Sequence, residues 1–456
     1  MGLDYEIIED FKGEKNIYCG KCNKIFSYSE EMERFLREYN QDTQLMIQKM
    51  HPIFTETDIL EYKKCLEKYL DDYNKNIEAF CAVQNRKNKE DRRFTTLWIN
   101  ISNDCNMRCI YCYGDGGHYN RERELIKKNK MVEILNFWIE HIDPTKKLLR
   151  VIFFGGEPLM NKAAIKFAVA YLKVRLNEES RIQFEITTNG TIIDDELLEI
   201  FSLNNFHITL SIDGGKKIQD AQRPFLNRKG SFSVISRNIE AILKKNIPII
   251  ARVTVTHQNV GEIMQCIFDI WDLGIKYITF APVSTEKKDI KLTSDDMDIL
   301  INQIEKLGAY QYKSLINNKH RYILNMIQFG KMLHQNQFGI CSFYVPEVLK
   351  VDINGNIFKC HRLIGIDDFL EGNVNQGLVM NDSNLFKAAV NSCPNCIYST
   401  LCIPCNEMNY CANHDINITC KEYCQYSKAI IKENIKLYVS LSKDLPEQVK
   451  HIYGSN

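Results

Sequence analysis

Three cysteines that directly follow a predicted strand constrain this chain more than any other feature of its sequence. Leu97–Ser102 is an apolar, β-branched run bounded by Asn and Asp, and it predicts a strand. The loop after it carries Cys105, Cys109 and Cys112, separated by three and two residues, so a tight turn can direct three thiols toward one centre. Structural zinc sites and fully protein-ligated [4Fe–4S] clusters take four protein ligands. Three cysteines therefore leave one position open to a ligand that is not protein.

With Tyr111 just before the last cysteine, this C-x3-C-x2-C spacing resembles the radical S-adenosylmethionine (SAM) superfamily. The resemblance implies a [4Fe–4S] cluster whose open iron is chelated by the amino and carboxylate groups of SAM. A zinc knuckle and a group of buried thiols are the alternatives.

Composition limits the partners and the compartment of the protein. The 456 residues predict two or three domains. Lysine plus arginine equals aspartate plus glutamate, 58 each, so no overall charge favours nucleic acid or an anionic membrane. No apolar run reaches about eighteen residues and the N-terminus is charged, which predicts a cytoplasmic protein without a membrane partner. Its 17 cysteines are then better explained as metal ligands than as disulfides.

From Thr96 onward, strand-like and helical segments alternate. Six strand–helix repeats predict a parallel sheet with right-handed crossovers, too few for a closed eight-fold barrel. They match the open (βα)6 partial TIM barrel that the resemblance implies, whose functional groups lie at the C-terminal strand ends. The later predicted strands are 150–154, 182–187, 207–212, 249–255 and 277–281, and the clearest predicted helices are 163–176, 231–245 and 262–273.

The remaining sequence is less regular. In the N-terminal region Glu30–Tyr39 and Ile59–Phe80 predict amphipathic helices, and Cys19 and Cys22 form a C-x2-C pair of open role. Peptide-modifying relatives often carry a leader-binding winged-helix module with a leading three-stranded sheet, but no convincing strand triplet is evident here. We divide the chain into a mainly helical N-terminal region (1–83), a linker (84–93), the barrel (94–282), a helical connector (283–340), a cysteine-rich region (341–426) and a C-terminal helix (427–456).

Candidate cofactor-binding residues follow the predicted strands. Gly155-Gly156-Glu157 combines a turn without side chains, which lets the backbone approach a ligand, with a carboxylate that can pair with a cation. The resemblance implies that this turn holds the amino group of SAM. It also implies that Ser211 and Arg223 contact the ribose and carboxylate of the cofactor. Asn189 either lines the substrate side of the site or only forms the turn after its strand. Tyr111 is the remaining candidate cofactor-binding residue.

Nine of the 17 cysteines lie between Cys341 and Cys424. Their order resembles the SPASM extension of peptide- and protein-modifying radical SAM enzymes, with one departure, because two residues rather than three separate Cys402 from Cys405. The resemblance implies two auxiliary [4Fe–4S] clusters, and a zinc ribbon is the alternative. Cys411 and Cys420 are spare, or one of them replaces one of the implied ligands. The implied ligands are Cys341, Cys360 and Cys405 for one cluster, and Cys393, Cys396, Cys402 and Cys424 for the other.

These features predict an enzyme that uses a 5′-deoxyadenosyl radical to modify a ribosomally made peptide, most simply by joining a cysteine sulfur to carbon. The implied partners are a cysteine-containing precursor peptide and a reductant such as flavodoxin or ferredoxin. His361, in a C-H-R sequence, stands where sulfatase-activating relatives carry a catalytic aspartate, and it is the candidate base. The alternative role is a hydrogen bond that supports the cluster loop. Formylglycine formation in a sulfatase, peptide epimerisation, carbon–carbon crosslinking and a non-catalytic metal-bearing scaffold are the alternatives.

Overall fold

The N-terminal region begins with three short antiparallel strands that the sequence analysis did not find. These are β1 (Tyr5–Glu9), β2 (Lys15–Cys19) and β3 (Lys24–Ser27). Each has at most five residues and mixes charged with apolar side chains, so no continuous apolar run marks it. Tertiary packing therefore decides these strands. The computed structural model describes residues 3–51, 53–86, 92–176, 181–378, 393 and 395–454.

Three helices follow this small sheet. The Ser29 hydroxyl caps the first by accepting a hydrogen bond from Met32 N at 3.1 Å. The third is longer than the predicted Ile59–Phe80 and continues into the predicted linker, of which residues 87–91 lie outside the described residues. The helices are α1 (Glu30–Glu38), α2 (Thr43–Met50) and α3 (Glu56–Arg86).

The barrel has the six predicted parallel strands, each within a residue or two of its expected bounds. In β6 and β8 buried and partly buried residues alternate strictly, because one face packs on helices and the other faces the barrel interior. The strands are β4 (Thr96–Ser102), β5 (Leu149–Gly155), β6 (Ile182–Thr188), β7 (Phe206–Ser211), β8 (Ile249–Val255) and β9 (Tyr277–Pro282). The helices are α4 (Lys128–Glu140), α5 (Lys162–Leu176), α6 (Asp195–Leu203), α7 (Lys216–Gln222), α8 (Phe232–Lys244) and α9 (Ile263–Asp272).

The sheet continues beyond the barrel at both edges. After α10 (Ser294–Ile316), the short β10 (Tyr322–Ile323) pairs with β9, and α11 (Gln328–His334) follows. The connector is thus helical, as predicted, apart from this strand. At the opposite edge, β11 (Val348–Val351) pairs in parallel with β4 and begins the cysteine-rich region.

The cysteine-rich region is therefore an extension of the barrel sheet. The predicted hairpin is present, with β11 paired to β12 (Asn356–Phe358) across a turn in which Gly355 has φ +84°. Antiparallel strands β13 (Leu370–Asn373) and β14 (Gly377–Leu378) complete the eleven-stranded order β10-β9-β8-β7-β6-β5-β4-β11-β12-β13-β14.

The C-terminus is helical, but the single helix predicted from residue 427 is wrong. After α12 (Asn406–Asn413), α13 (Lys421–Asp444) begins earlier and includes Cys424, and α14 (Pro446–Tyr453) follows. Pro446 separates α13 from α14 because proline cannot donate the backbone hydrogen bond that would continue a helix, whereas it suits a first turn. None of the described helices combines the length and apolar composition that a membrane crossing requires.

The N-terminal sheet is docked on the cysteine-rich region and on α13. Thr400 Oγ1 donates to Gly20 O at 2.7 Å, and a Cβ on Gly20 would lie 2.0 Å from Ile397 O, so side-chain-free backbone is required there. On α13, Lys443 Nζ lies 2.8 Å from a carboxylate oxygen of buried Asp10. The N-terminal region is thus in direct contact with the segment between Cys396 and Cys402.

Candidate active site

The loop after β4 brings Cys105, Cys109 and Cys112 over the strand ends. Asp104 orders its start by accepting from Cys105 N at 2.8 Å and pairing with Arg123 at 2.6 Å. Cys112 N donates to Cys109 O at 3.2 Å, which closes the turn between the last two cysteines. Cys112 Sγ accepts from Gly116 N at 3.3 Å.

The three thiols form one electrostatic group. Burial, followed by the charges of Glu157, Cys109 and Cys112, raises the pKa of Cys105 to about 12. Burial raises the pKa of Cys109 to about 11, although nearby Arg223 opposes this rise. A bound cation would therefore stabilise these partly buried sulfurs as thiolates, which suits a metal cluster.

The donor set fits an iron–sulfur cluster better than a single ion. No disulfide joins cysteines within the described part of the chain. Over the same residues, no three His, Cys, Asp or Glu side chains are close enough to share one metal ion. A cluster binds each cysteine at a different iron, so its ligands need not meet at one atom.

The glycine turn after β5 packs directly on the cysteine loop. Gly156 N donates to Ser102 O and Glu157 N donates to Asp104 O, each at 2.8 Å. A Cβ on Gly156 would lie 2.3 Å from Asp104 O, and one on Gly155, whose φ is +129°, would lie 2.3 Å from Ser102 O. The two glycines are thus needed for the contact between turn and loop, whether or not a ligand also approaches them.

We expect Gly156→Ala to displace the cysteine loop, because the atoms in its way are backbone. It should lower the free energy of unfolding by about 1–3 kcal/mol, as overpacking does, and reduce SAM cleavage with it. Thermal unfolding and the yield of 5′-deoxyadenosine measure both effects. Gly261→Ala is the matched control, because a Cβ there meets nothing within 4 Å. Equal behaviour of the two variants would contradict the packing role of Gly156.

Glu157 joins the ends of β5 and β6. Its fully buried carboxylate accepts from Leu159 N at 2.9 Å, Thr188 Oγ1 at 2.7 Å and Asn189 N at 2.7 Å. Burial raises its pKa although these hydrogen bonds oppose the rise. Asn189 in turn donates from Nδ2 to Asn106 Oδ1 at 2.9 Å and lies 3.8 Å from Cys105 Sγ. Both residues therefore position the cysteine loop, and the sequence analysis missed the contribution of Thr188.

Tyr111 and Arg223 belong to a buried chain of hydrogen bonds. Arg223 Nη1 donates to the Tyr111 hydroxyl, which donates to Asp213 Oδ2, each at 2.6 Å. Gln222 Nε2 and Thr254 N also donate to Asp213. Arg223 Nε is buried without a partner in the described residues, so this guanidinium keeps a donor for a ligand. Asp213 lies two residues after the end of β7, and this position is the one sequence signal that could have identified it.

The strand ends surround a pocket of about 120 Å³. Its wall includes Ser211, at the end of β7, and Arg252 and Thr254, which alternate on β8. Arg362 enters the same pocket from the cysteine-rich region. Further lining residues are Tyr111, Tyr113, Phe154, Thr187, Arg223, Val253, Ala281, Pro282, Val283 and Ser284.

His361 lies beside this pocket and packs on its wall. Its ring stacks on Trp98 with centroids 3.9 Å apart and meets the edge of Phe154, which lines the pocket. Burial and the charge of Arg362 hold the pKa of His361 well below its usual range, so the imidazole is neutral. Its Nδ1 is buried without a partner in the described residues. The lowered pKa makes this imidazole a weaker base than the unperturbed pKa of histidine implies, and its role as a base stays a prediction.

The cysteines of the cysteine-rich region fall into two groups. In the first, burial and then Cys405 raise the pKa of Cys341, and burial and then Cys341 raise that of Cys360 to about 11. In the second, burial and then the charges of Cys396, Cys424 and Cys393 raise the pKa of Cys402 to about 12.

The two spare cysteines of the sequence analysis lie elsewhere. Cys411 and Cys420 line a neighbouring cavity, which shares Pro282, Val283 and Ser284 with the wall of the barrel pocket. The grouping corresponds to the two implied ligand sets, with Cys424 in the second. Despite the shortened spacing after Cys402, Cys405 lies close enough to Cys341 for its charge to raise the pKa of that thiol.

Arg362 connects the first cysteine group to the pocket. It pairs with Glu407 at 2.8 Å, and its Nη1 lies 3.9 Å from Cys405 Sγ. Its guanidinium also lies 5.3 Å from the centre of the Tyr113 ring, within cation–π range. The cysteine group that contains Cys405 therefore adjoins the pocket.

An open parallel barrel with a three-cysteine loop over its strand ends defines an enzyme class. Residues 99–270 match the family described as Radical SAM superfamily. These residues form a radical SAM domain, so the predicted enzyme class and partial-barrel fold are confirmed. The family implies a [4Fe–4S] cluster with SAM, and Cys105, Cys109 and Cys112 fit that cluster.

Within this class, its relatives are anaerobic sulfatase maturases and peptide-modifying radical SAM enzymes. The cysteine-type anaerobic sulfatase-maturating enzyme of Clostridium novyi (strain NT) is 23% identical over 75% of this chain and 96% of its own. The structure of anSMEcpe with bound AdoMet and Cp18Cys peptide aligns at 19% identity, TM-score 0.65, over 77% and 99% of the chains. Streptococcus suis SuiB bound to precursor peptide SuiA aligns at 17% identity, TM-score 0.52, over 92% and 98%.

Proposed function

We propose that this enzyme matures a ribosomally made peptide by joining a cysteine sulfur to a carbon atom of the same peptide. The observation that carries the proposal is the contact of Arg362 with both the pocket and the Cys405 group. A cluster held only by Cys341, Cys360 and Cys405 would leave one iron able to bind and deprotonate a substrate thiol beside the pocket. The second auxiliary cluster would be held by Cys393, Cys396, Cys402 and Cys424.

When bound, the first cluster and SAM supply a 5′-deoxyadenosyl radical that takes a hydrogen atom from carbon. Overall, the peptide loses one S–H and one C–H hydrogen and gains an S–C bond, while SAM gives 5′-deoxyadenosine and methionine and a proton is released. The chain's own contribution is orientation and exclusion of water. Ser211, Arg223 and Tyr111 would hold the cofactor, with Arg362 facing the substrate.

The N-terminal region is proposed to bind the leader part of the substrate. It has a three-stranded sheet followed by helices, the arrangement expected of such a module, and strands β1 and β3 are its two edges. A peptide strand can pair with such an edge through backbone hydrogen bonds alone. The aligned SuiB structure, which holds a precursor peptide, extends over nearly the whole of this chain.

The remaining partner is a reductant of the flavodoxin or ferredoxin type. Cysteine groups poised to bind clusters are suited to a reducing compartment, so we assign the protein to the cytoplasm.

We expect the cysteine-containing precursor peptide that is the substrate to lose two hydrogens per crosslink. The crosslinked cysteine should no longer react with iodoacetamide. Mass spectrometry after incubation with the reconstituted enzyme, SAM and dithionite measures both changes. Omitting SAM is the control. A product whose thiols all still alkylate would indicate epimerisation or carbon–carbon bond formation instead.

Sulfatase maturation is the second candidate, supported by the likeness to the Clostridium novyi enzyme. Conversion of cysteine to formylglycine removes sulfur and adds oxygen, so its mass change differs from the loss of two hydrogens. A sulfatase-derived cysteine peptide in the same assay therefore separates the two activities. Histidine rather than aspartate at position 361 favours the crosslinking reaction.

A further inference from the structure

Three arginines face the pocket, and their charges are not equally compensated. Arg223 is connected through Tyr111 to Asp213, and Arg362 pairs with Glu407. Arg252 lies partly buried on β8, and no hydrogen bond or ion pair joins its guanidinium to a described residue, although the charges of Cys405 and Glu407 act on it through space. Within the described residues, the pocket therefore presents a guanidinium that no hydrogen bond or ion pair compensates.

We propose that Arg252 binds a carboxylate of the peptide substrate and so selects peptides that carry an acidic group beside the residue to be modified. This inference rests on the proposed function. It names a recognition element that the reaction itself does not require, since neither the S–H nor the C–H bond needs a carboxylate. Arg252 is thus a specificity residue rather than a group that reacts.

The chemistry of the pocket favours a carboxylate at this position. A guanidinium removed from water without a partner is costly, and a bound anion offsets that cost. Its planar fork matches a carboxylate through two parallel hydrogen bonds. The apolar wall formed by Val253, Pro282 and Val283 limits solvent screening and strengthens the pair.

The protein's own carboxylates are already engaged. Asp213 accepts from Tyr111, Gln222 and Thr254 N, and Glu407 pairs with Arg362. The SAM carboxylate is expected at the iron, on the side of the cysteine loop where Arg223 bonds to Tyr111. Arg252 shares the pocket with Arg362, which comes from the cysteine-rich side, so a substrate carboxylate is the anion that remains.

The test measures binding without turnover. A pool of amidated heptapeptides, with a central cysteine and randomised flanking positions, is dialysed against reconstituted full-length enzyme with SAM and no reductant. Mass spectrometry of the retained peptides should show at least about tenfold enrichment of Asp or Glu, which corresponds to about 1.4 kcal/mol. Arg252→Gln should lose the enrichment, and Arg252→Lys should recover part of it because the charge remains without the fork.

Arg237→Gln is the matched control, because Arg237 is an exposed arginine on α8 away from the pocket. A second pool with free C-termini and no acidic side chains shows whether a terminal carboxylate satisfies Arg252, which would support the same site. Equal retention of acidic and amide peptides by the wild type would overturn the proposal. So would an acidic preference that survives in Arg252→Gln, or a loss of SAM binding in that variant, which would assign Arg252 to the cofactor.

Thermal unfolding of both Arg252 variants shows whether the chain still folds. If Arg252→Gln does not fold, Arg252→Lys still decides the test. Adding dithionite to the retained peptides then tests the proposed function separately. Acidic peptides that bind through Arg252 but are never crosslinked would refute the crosslinking reaction and not the carboxylate site. Crosslinking of peptides without any preference for acidic residues would refute the carboxylate site and not the crosslinking reaction.

Discussion

Replacement of Cys105, Cys109 or Cys112 by alanine is expected to abolish cleavage of SAM. Each of the three would bind a different iron of one cluster, so losing any one removes a direct ligand. Since changes to groups that merely support a ligand cost about 10–100-fold, the loss here should exceed about 100-fold. The measurement is 5′-deoxyadenosine formed under dithionite by the reconstituted enzyme.

Cys65→Ala is the control for this experiment, because Cys65 is an exposed cysteine on α3. It should retain the activity of the wild type. Substantial 5′-deoxyadenosine from the Cys109→Ala enzyme would show that the loop is not the cluster site. A structure of the loaded enzyme in which a fourth protein side chain binds that cluster would equally contradict the prediction that three cysteines hold it.

The second large effect concerns iron content. The triple variant in which Cys105, Cys109 and Cys112 are alanine should retain about eight irons per chain, as two [4Fe–4S] clusters require. Adding Cys396→Ala and Cys402→Ala should remove about four of them, because both cysteines belong to the second group. Iron and acid-labile sulfide analysis of the full chain gives these numbers.

The pair Cys411→Ala and Cys420→Ala provides a matched double control in the same triple variant. These cysteines line a neighbouring cavity and belong to neither cysteine group, so their removal should leave the iron content unchanged. Zinc in place of iron would support the zinc-ribbon alternative. If the Cys411/Cys420 double control loses as much iron as the Cys396/Cys402 pair, the ligand groups are assigned incorrectly.

The barrel was predictable because each of its strands and helices is marked by residues that are close together in the sequence. Each strand is a short apolar run, each strand end carries a distinctive residue, and the strand–helix order admits few topologies. The N-terminal strands were missed for the opposite reason. Tyr5–Glu9 and Lys15–Cys19 carry charges within runs of five residues, and they are strands because they pair with each other and pack on the cysteine-rich region.

Roles within the site required the three-dimensional arrangement. The motif containing Glu157 is evident from the sequence, but its bonds to Thr188 and Asn189 depend on how β5 lies beside β6. Likewise, His361 follows Cys360 in a recognisable C-H-R sequence, yet only the pairing of β11 with β4 explains its stacking on Trp98.

The sequence by itself determined the chemistry that this chain can support: three closely spaced cysteines, a glycine turn and a second cysteine-rich region specify ligand types within a few residues of one another. Only the tertiary structure decided which distant groups share one environment. It separated Cys424 from Cys420, placed Arg362 at the barrel pocket, and left Arg252 without a hydrogen bond or ion pair to any residue that the structure describes. The physical reason is that ligand identity is a property of single residues, whereas burial, pairing and charge balance arise when remote segments pack together.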